Sequence, residues 1–124
     1  MREYKFKGKS KAYGDYICGG IGKYEDQIYI IKPQPQGEGD KIVWLHEVYP
    51  ETVGQYTGRQ DMDGEEVYEG DQVRILYHSI NFRIEVEGKV VFNKGAFEFH
   101  SESPREDFVR KLSECEIIKV IKED

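Results

Sequence analysis

Between Gln72 and Phe92 the sequence alternates, and no other feature restricts the fold as much. Val73, Ile75 and Tyr77 interleave with Arg74, Leu76 and His78. Phe82, Ile84, Val86, Val90 and Phe92 then share one parity, with Arg83, Glu85, Glu87 and Lys89 on the other. Successive side chains of a strand point to opposite faces, so this pattern builds strands with one dry and one wet face, not an amphipathic helix. Gly88 lies on the dry parity in mid-run, where it either bends one long strand or separates two. Asn93-Lys94-Gly95 turns the chain into Ala96–Phe99.

The rest of the chain carries the same signal. Residues 2–7 alternate around Tyr4 and Phe6. Residues 15–21 and 27–32 read as a hairpin joined by Gly22–Asp26, with Gly19-Gly20 marking a bulge or a close backbone approach. Two prolines and two glycines make residues 33–40 a loop. Residues 41–48 resume a strand around Trp44, the only tryptophan, and Pro50 ends it. Residues 54–71 are dense in turn formers, including Gly54, Gly58, Asp63-Gly64 and Gly70-Asp71. One helix is expected, about 104–112: Ser103 caps it, Pro104 takes its first position, Glu106 completes a capping box, and Phe108 and Leu112 share a face. Residues 115–121 close the chain as a buried strand. A soft boundary near 52–54 divides an N-terminal β region, 1–52, from residues 53–124.

Charge limits the partners. The 124 residues carry a net charge of -6, all of it in residues 59–124, because basic and acidic residues balance in 1–58. Bulk attraction to nucleic acid is therefore not expected, since phosphate binding needs a positive face. The local exception is Arg2, Lys5, Lys7, Lys9 and Lys11, which read first as a strand edge guarded by lysine. No apolar run approaches the roughly 20 residues of a membrane span, and the first residues lack the apolar stretch of a secretory signal. A soluble, cytoplasmic protein with no membrane partner is the expectation. Cys18 and Cys115 form no CxxC pair and read as free, partly buried thiols.

Catalytic patterns are missing. The sequence has no GxSxG elbow, no GxxxxGK[ST] phosphate loop and no HExxH pair, and His46, His78 and His100 read as strand histidines. The acidic run Asp61, Asp63, Glu65, Glu66, Glu69 and Asp71 invites a calcium or magnesium reading. In the calcium loop, however, glycine stands sixth and a bidentate glutamate twelfth, whereas here Gly64 is fourth and Gln72 is twelfth. Turn-building explains Asp61, Asp63 and Gly64 better, so neither a metal nor a cofactor is assigned.

The segment Thr52–Val73 is specific. It carries Gln55, Tyr56, Thr57, Gly58, Asp61, Gly64, Val67, Tyr68, Glu69, Gly70, Asp71 and Val73 in a fixed spacing. This resembles the YopX protein family of phage and prophage proteins, with the pattern QYTG-x-x-D-x-x-G-x-x-[IVF]-[YF]-E-G-D-x-V. The opening Lys5-Phe6-Lys7-Gly8-Lys9 and Gly14-Asp15-Tyr16 are similar to the family's start. The resemblance implies a mainly β protein with a small SH3-like β-barrel in the C-terminal part, an N-terminal β-hairpin or sheet region, no settled activity and no catalytic residues to carry over.

The resulting expectation is a non-enzymatic binding or adaptor module with an unidentified protein partner. Gln55, Tyr56, Gly58, Asp61, Gly64, Tyr68, Glu69, Gly70 and Asp71 are the candidate interaction surface, with Tyr56, Tyr68, Glu69 and Asp71 as the surface or its scaffold. One alternative is a nucleic-acid-binding protein using the basic N-terminal strand and barrel aromatics. The other is a metal-dependent enzyme using Asp61, Asp63 and Asp71. Self-association into a homo-oligomer through an open sheet edge is a further expectation.

Overall fold

The computed structural model describes residues 5–33, 43–78, 83–102 and 108–122. The protein is mainly β, with two antiparallel sheets and, among the described residues, only two single-turn 3-10 helices. The chain divides between Tyr56 and Thr57 into two compact units. Tyr4, Phe82 and most of the expected 33–40 loop lie outside the described residues.

The first unit holds β1 (Phe6–Lys9), β2 (Tyr16–Tyr24), β3 (Gln27–Pro33), β4 (Val43–Glu47), a 3-10 turn (Pro50–Thr52) and the start of β5 (Gly54–Gln60). Its strands run in the order β4-β3-β2-β1-β5. Ser10 makes the first hairpin: it is buried, and its hydroxyl accepts the backbone N–H groups of Ala12 and Tyr13, each at 3.2 Å. The second hairpin is tighter than the sequence suggests. β2 continues through Tyr24, and the link is only Glu25-Asp26, with φ of 48° and 68°. Two positive φ values make the primed turn whose twist matches its strands. At Gly19 the close-approach reading holds: a Cβ there would run into the Ile31 carbonyl oxygen. Beyond β4, Ser10 and Val48 form an isolated bridge, and Lys11 N–H donates to the Glu47 carbonyl at 3.0 Å. Ile30 and Val48 are fully buried.

The second unit holds the rest of β5, β6 (Glu66–Tyr68), β7 (Gln72–His78), β8 (Arg83–Asn93), β9 (Ala96–Ser101), β10 (Val109–Lys111), a 3-10 turn (Leu112–Glu114) and β11 (Glu116–Ile121). Five strands form a sheet in the order β10-β9-β8-β7-β11. The alternation predicted for residues 72–92 holds over β7 and through Val90 of β8, while Phe92, on the dry parity, is exposed. Val73, Ile75, Val86 and Val90 meet Phe99, Leu112, Ile117 and Val120 in one core, while Arg74 and Glu87 pair on the outer face at 2.8 Å. Gly88 interrupts nothing: β8 is one strand of 11 residues. Glycine is required there because Phe99 crosses it, and a Cβ would lie 2.6 Å from Phe99 Cζ and against the His100 carbonyl.

Three expectations need correction. Residues 109–111 are strand β10, paired with Glu98–His100, and 112–114 are a 3-10 turn, so the helix over 104–112 is not formed across its described part. Residues 103–107, with the capping box, lie outside the described residues. Phe108 and Leu112 do reach the core, but a spacing of four satisfies a strand as well as a helix. Secondly, Gly58, read as a turn former, lies inside β5. Thirdly, no closed barrel is found: among the described residues no strand pairing joins β10 to β11.

Candidate functional site

Two aspartates organise the motif of residues 55–73. Asp61 is buried. Its Oδ1 accepts the N–H of Asp63 at 2.8 Å and of Glu65 at 2.9 Å, which forms the β5–β6 turn. Its Oδ2 accepts the N–H of Val120 at 3.0 Å, on the outer edge of β11. The pairing of β11 with β7 slips between Ile117 and Lys119, and the Ile118 carbonyl there accepts the Met62 N–H. The irregularity in β11 thus lies where the Asp61 turn docks. Burial alone would push the Asp61 carboxyl up. The three N–H donors and nearby Lys122 outweigh it and hold the group below its ordinary value.

Asp71 repeats the device. Tyr68-Glu69-Gly70-Asp71 is a turn closed by Asp71 N–H to the Tyr68 carbonyl at 3.1 Å, and Asp71 Oδ2 accepts the Tyr68 N–H at 2.8 Å. The third position needs positive φ, which Gly70 supplies at 91°. The turn is then pinned to β8, because Gly70 N–H donates to the Val90 carbonyl and Val90 N–H to that of Asp71.

The candidate residues therefore divide. Tyr56, Asp61, Tyr68 and Asp71 are buried, so they are scaffold and offer no face to a partner. Gln55 and Glu69 are half-buried, Gly58 is exposed within β5, and Gly64 is exposed in its turn. Among the described residues, no three His, Cys, Asp or Glu side chains converge as a metal site. Arg59, which occupies an unspecified position of the motif, was not singled out. Its guanidinium donates to the carbonyls of Leu112 and Cys115 and clasps the 3-10 turn before β11.

The exposed apolar side chains lie elsewhere. In the first unit Trp44 and Leu45, neighbours on β4, are 50% and 58% exposed, and Tyr13 is 74% exposed. Residues 10–13 and 44–47 line an open cleft of about 620 Å³. It opens where β4 parts from the end of β1, beyond the Ser10–Val48 bridge. Natural sheets defend open edges with charge, brevity or cover. The outer edge of β11 is covered by Asp61 and Met62. β10 is three residues long and carries exposed Arg110 and Lys111, and β6 is also three residues long. β4 reads Val-Trp-Leu-His-Glu with no lysine or arginine, and no described strand pairs with its outer side. The sequence did hold a signal for this edge: two adjacent large apolar residues on a strand cannot both face one core.

Among the described residues no helix is long and apolar enough to cross a membrane. Comparison with curated proteins and with solved structures finds no match. The family model described as YopX protein matches residues 6–121, and the chain belongs to the YopX protein family.

Proposed function

We propose that this protein is a non-enzymatic binding or adaptor module of phage or prophage type, working in the cytoplasm of a bacterial host. It captures an extended segment of a partner protein on the outer edge of β4. The observation that carries this reading is the contrast among sheet edges. β4 exposes apolar Trp44 and Leu45 on an outer edge with no described strand partner, guarded by Lys11 at its Glu47 end, and it borders a cleft. Strand addition draws affinity from main-chain hydrogen bonds and specificity from alternate side chains. Trp44 would meet side chains on the cleft side, where Tyr13 lies, and Leu45 those on the opposite face. A cleft already narrowed by the Ser10–Val48 bridge suits one incoming strand better than a whole sheet.

We also read the second unit as a variant of the SH3-like barrel. Two features support that reading: the last strand returns to pair with the first of the five, and a 3-10 turn separates the last two strands.

The test is selection of binding peptides from a random library, followed by hydrogen exchange. Selected peptides should protect amides of residues 44–47 and quench or shift Trp44 fluorescence. Leu45→Lys should weaken them at least tenfold with the circular dichroism unchanged. Failure to select any peptide, or equal binding by Leu45→Lys, would overturn the reading. Concentration-dependent self-association abolished by Leu45→Lys would reassign the edge to a second copy of the chain.

A further inference from the structure

Directly opposed residues of antiparallel strands share a face. The registers Lys9↔Tyr16, Lys7↔Cys18, Gly20↔Ile31, Gly22↔Tyr29 and Tyr24↔Gln27 therefore place Lys7, Lys9, Tyr16, Tyr24 and Tyr29 on one face of the first unit. It is the face opposite to fully buried Ile30. Tyr16 and Tyr24, at the two ends of β2, are 56% and 67% exposed. Gly20 and Gly22 between them carry no side chain, and the Ile31 side chain, opposite Gly20, packs over Gly22. Lys7 Nζ lies over the Tyr16 ring, 5.1 Å from its centroid. Among the described residues, Glu47 is the one acidic side chain at a strand position of this face, and Lys11 holds it at 2.7 Å.

We propose that this face, whose β4 end carries Leu45, binds single-stranded nucleic acid, an activity beyond strand capture at the β4 edge. A lysine row beside exposed aromatic rings is what a single strand requires: cations follow the phosphates and rings stack on unpaired bases. The charge is complementary to a polyanion on this face although the chain is acidic as a whole, because the net negative charge belongs to residues 59–124. A duplex does not fit as the occupant, since its bases are already stacked and, among the described residues, no helix or long strand pair projects from the face to enter a groove. β2 spans roughly 27 Å at 3.3 Å per residue, enough for a few nucleotides.

The probe is a labelled thymidine oligonucleotide of about 12 nucleotides, with a uridine oligonucleotide, a duplex and a poly-glutamate peptide as comparators. Binding is read by anisotropy from about 50 mM salt upward. Single strands should bind and the duplex should not, and a preference between the DNA and RNA arms would identify the natural form. Tyr24→Ala and Tyr16→Ala should each weaken binding at least fivefold. Lys9→Glu should make the slope of log affinity against log salt less negative by about 0.7. All three side chains are exposed, and unchanged circular dichroism would verify each variant's fold. No binding at the lowest salt, equal binding of duplex or poly-glutamate, or indifference to both tyrosine substitutions would overturn the proposal.

Discussion

The carboxylate of Asp61 accepts the backbone N–H of Val120 at 3.0 Å across 59 positions of sequence. The same side chain holds its own turn through Asp63 and Glu65. One residue therefore forms a hairpin and fastens it to the edge of the final strand. Hydrogen bonds to a charged group contribute about 1.5–3 kcal/mol each, and the partners left behind are partly buried. Asp61→Ala should lower the unfolding free energy by about 3 kcal/mol or more. Asp61→Asn should lose less, because its amide keeps one acceptor while turning a donor towards another donor. Asp63→Asn, at an exposed position that contributes only its backbone N–H, should change stability by less than about 0.5 kcal/mol. Urea denaturation of the three variants decides the matter, and equal midpoints would remove Asp61 from the scaffold.

A pH dependence follows from the same contacts. Asp61 is held below its ordinary value of 3.8, so the unfolded chain takes up the proton first as pH falls. Its contribution to stability is complete well above 3.8 and is lost as pH drops from there through the lower folded value. Unfolding free energies measured from neutral pH down to about pH 3 should decline more steeply for the native chain than for Asp61→Asn. Parallel curves would mean that the carboxylate does not hold the charge the geometry gives it.

The sequence made some of this legible and hid the rest for physical reasons. β7 was readable to the residue because Val73, Ile75 and Tyr77 alternate without interruption. The Gly70 turn was readable because glycine and aspartate announce their own backbone chemistry. The β2–β3 turn was placed too widely because Glu25 and Asp26 take positive φ without a glycine to signal it. The helix expected near 104–112 failed where Phe108 and Leu112, four apart, fit two periods at once. The motif's role was half legible. Spacing alone shows that Tyr56, Asp61, Tyr68 and Asp71 act together, but only the packed chain shows that they are buried. The exposed pair Trp44 and Leu45 read as an ordinary strand, because the open side of a strand depends on which neighbour it lacks.

Gly88 gives a steric prediction. A Cβ there meets the ring of fully buried Phe99 and the carbonyl of His100, and neither can withdraw without moving β9. Gly88→Ala should cost about 3 kcal/mol, at the upper end of overpacking effects. Gly95→Ala is the control for backbone strain alone. Its φ is 82° and nothing lies within 4 Å of the added carbon, so the left-handed conformation should cost only about 1–2 kcal/mol. Thermal melts should rank native, Gly95→Ala and Gly88→Ala in descending order, and a Gly88→Ala protein as stable as the native one would contradict the crossing of Phe99 over β8.

The two thiols should separate by reactivity. Cys18 is exposed on β2, whereas Cys115 is buried beside the 3-10 turn, with its Sγ 3.4 Å from the Lys111 carbonyl oxygen. Burial pushes the Cys115 thiol up from its ordinary value, and the opposing pull of Arg59 and Arg110 is weaker. A thiolate is the reacting species, so both access and ionisation disfavour Cys115. Titration with a disulfide reagent at neutral pH should consume one thiol rapidly in the folded protein and two in guanidinium. The slow thiol should disappear at a rate set by opening of the structure. Asp61→Ala should accelerate it, because the Asp61 turn fastens β11, the strand that follows Cys115. Equal rates for both thiols in the folded protein would show that Cys115 is not packed beneath the turn that Arg59 clasps.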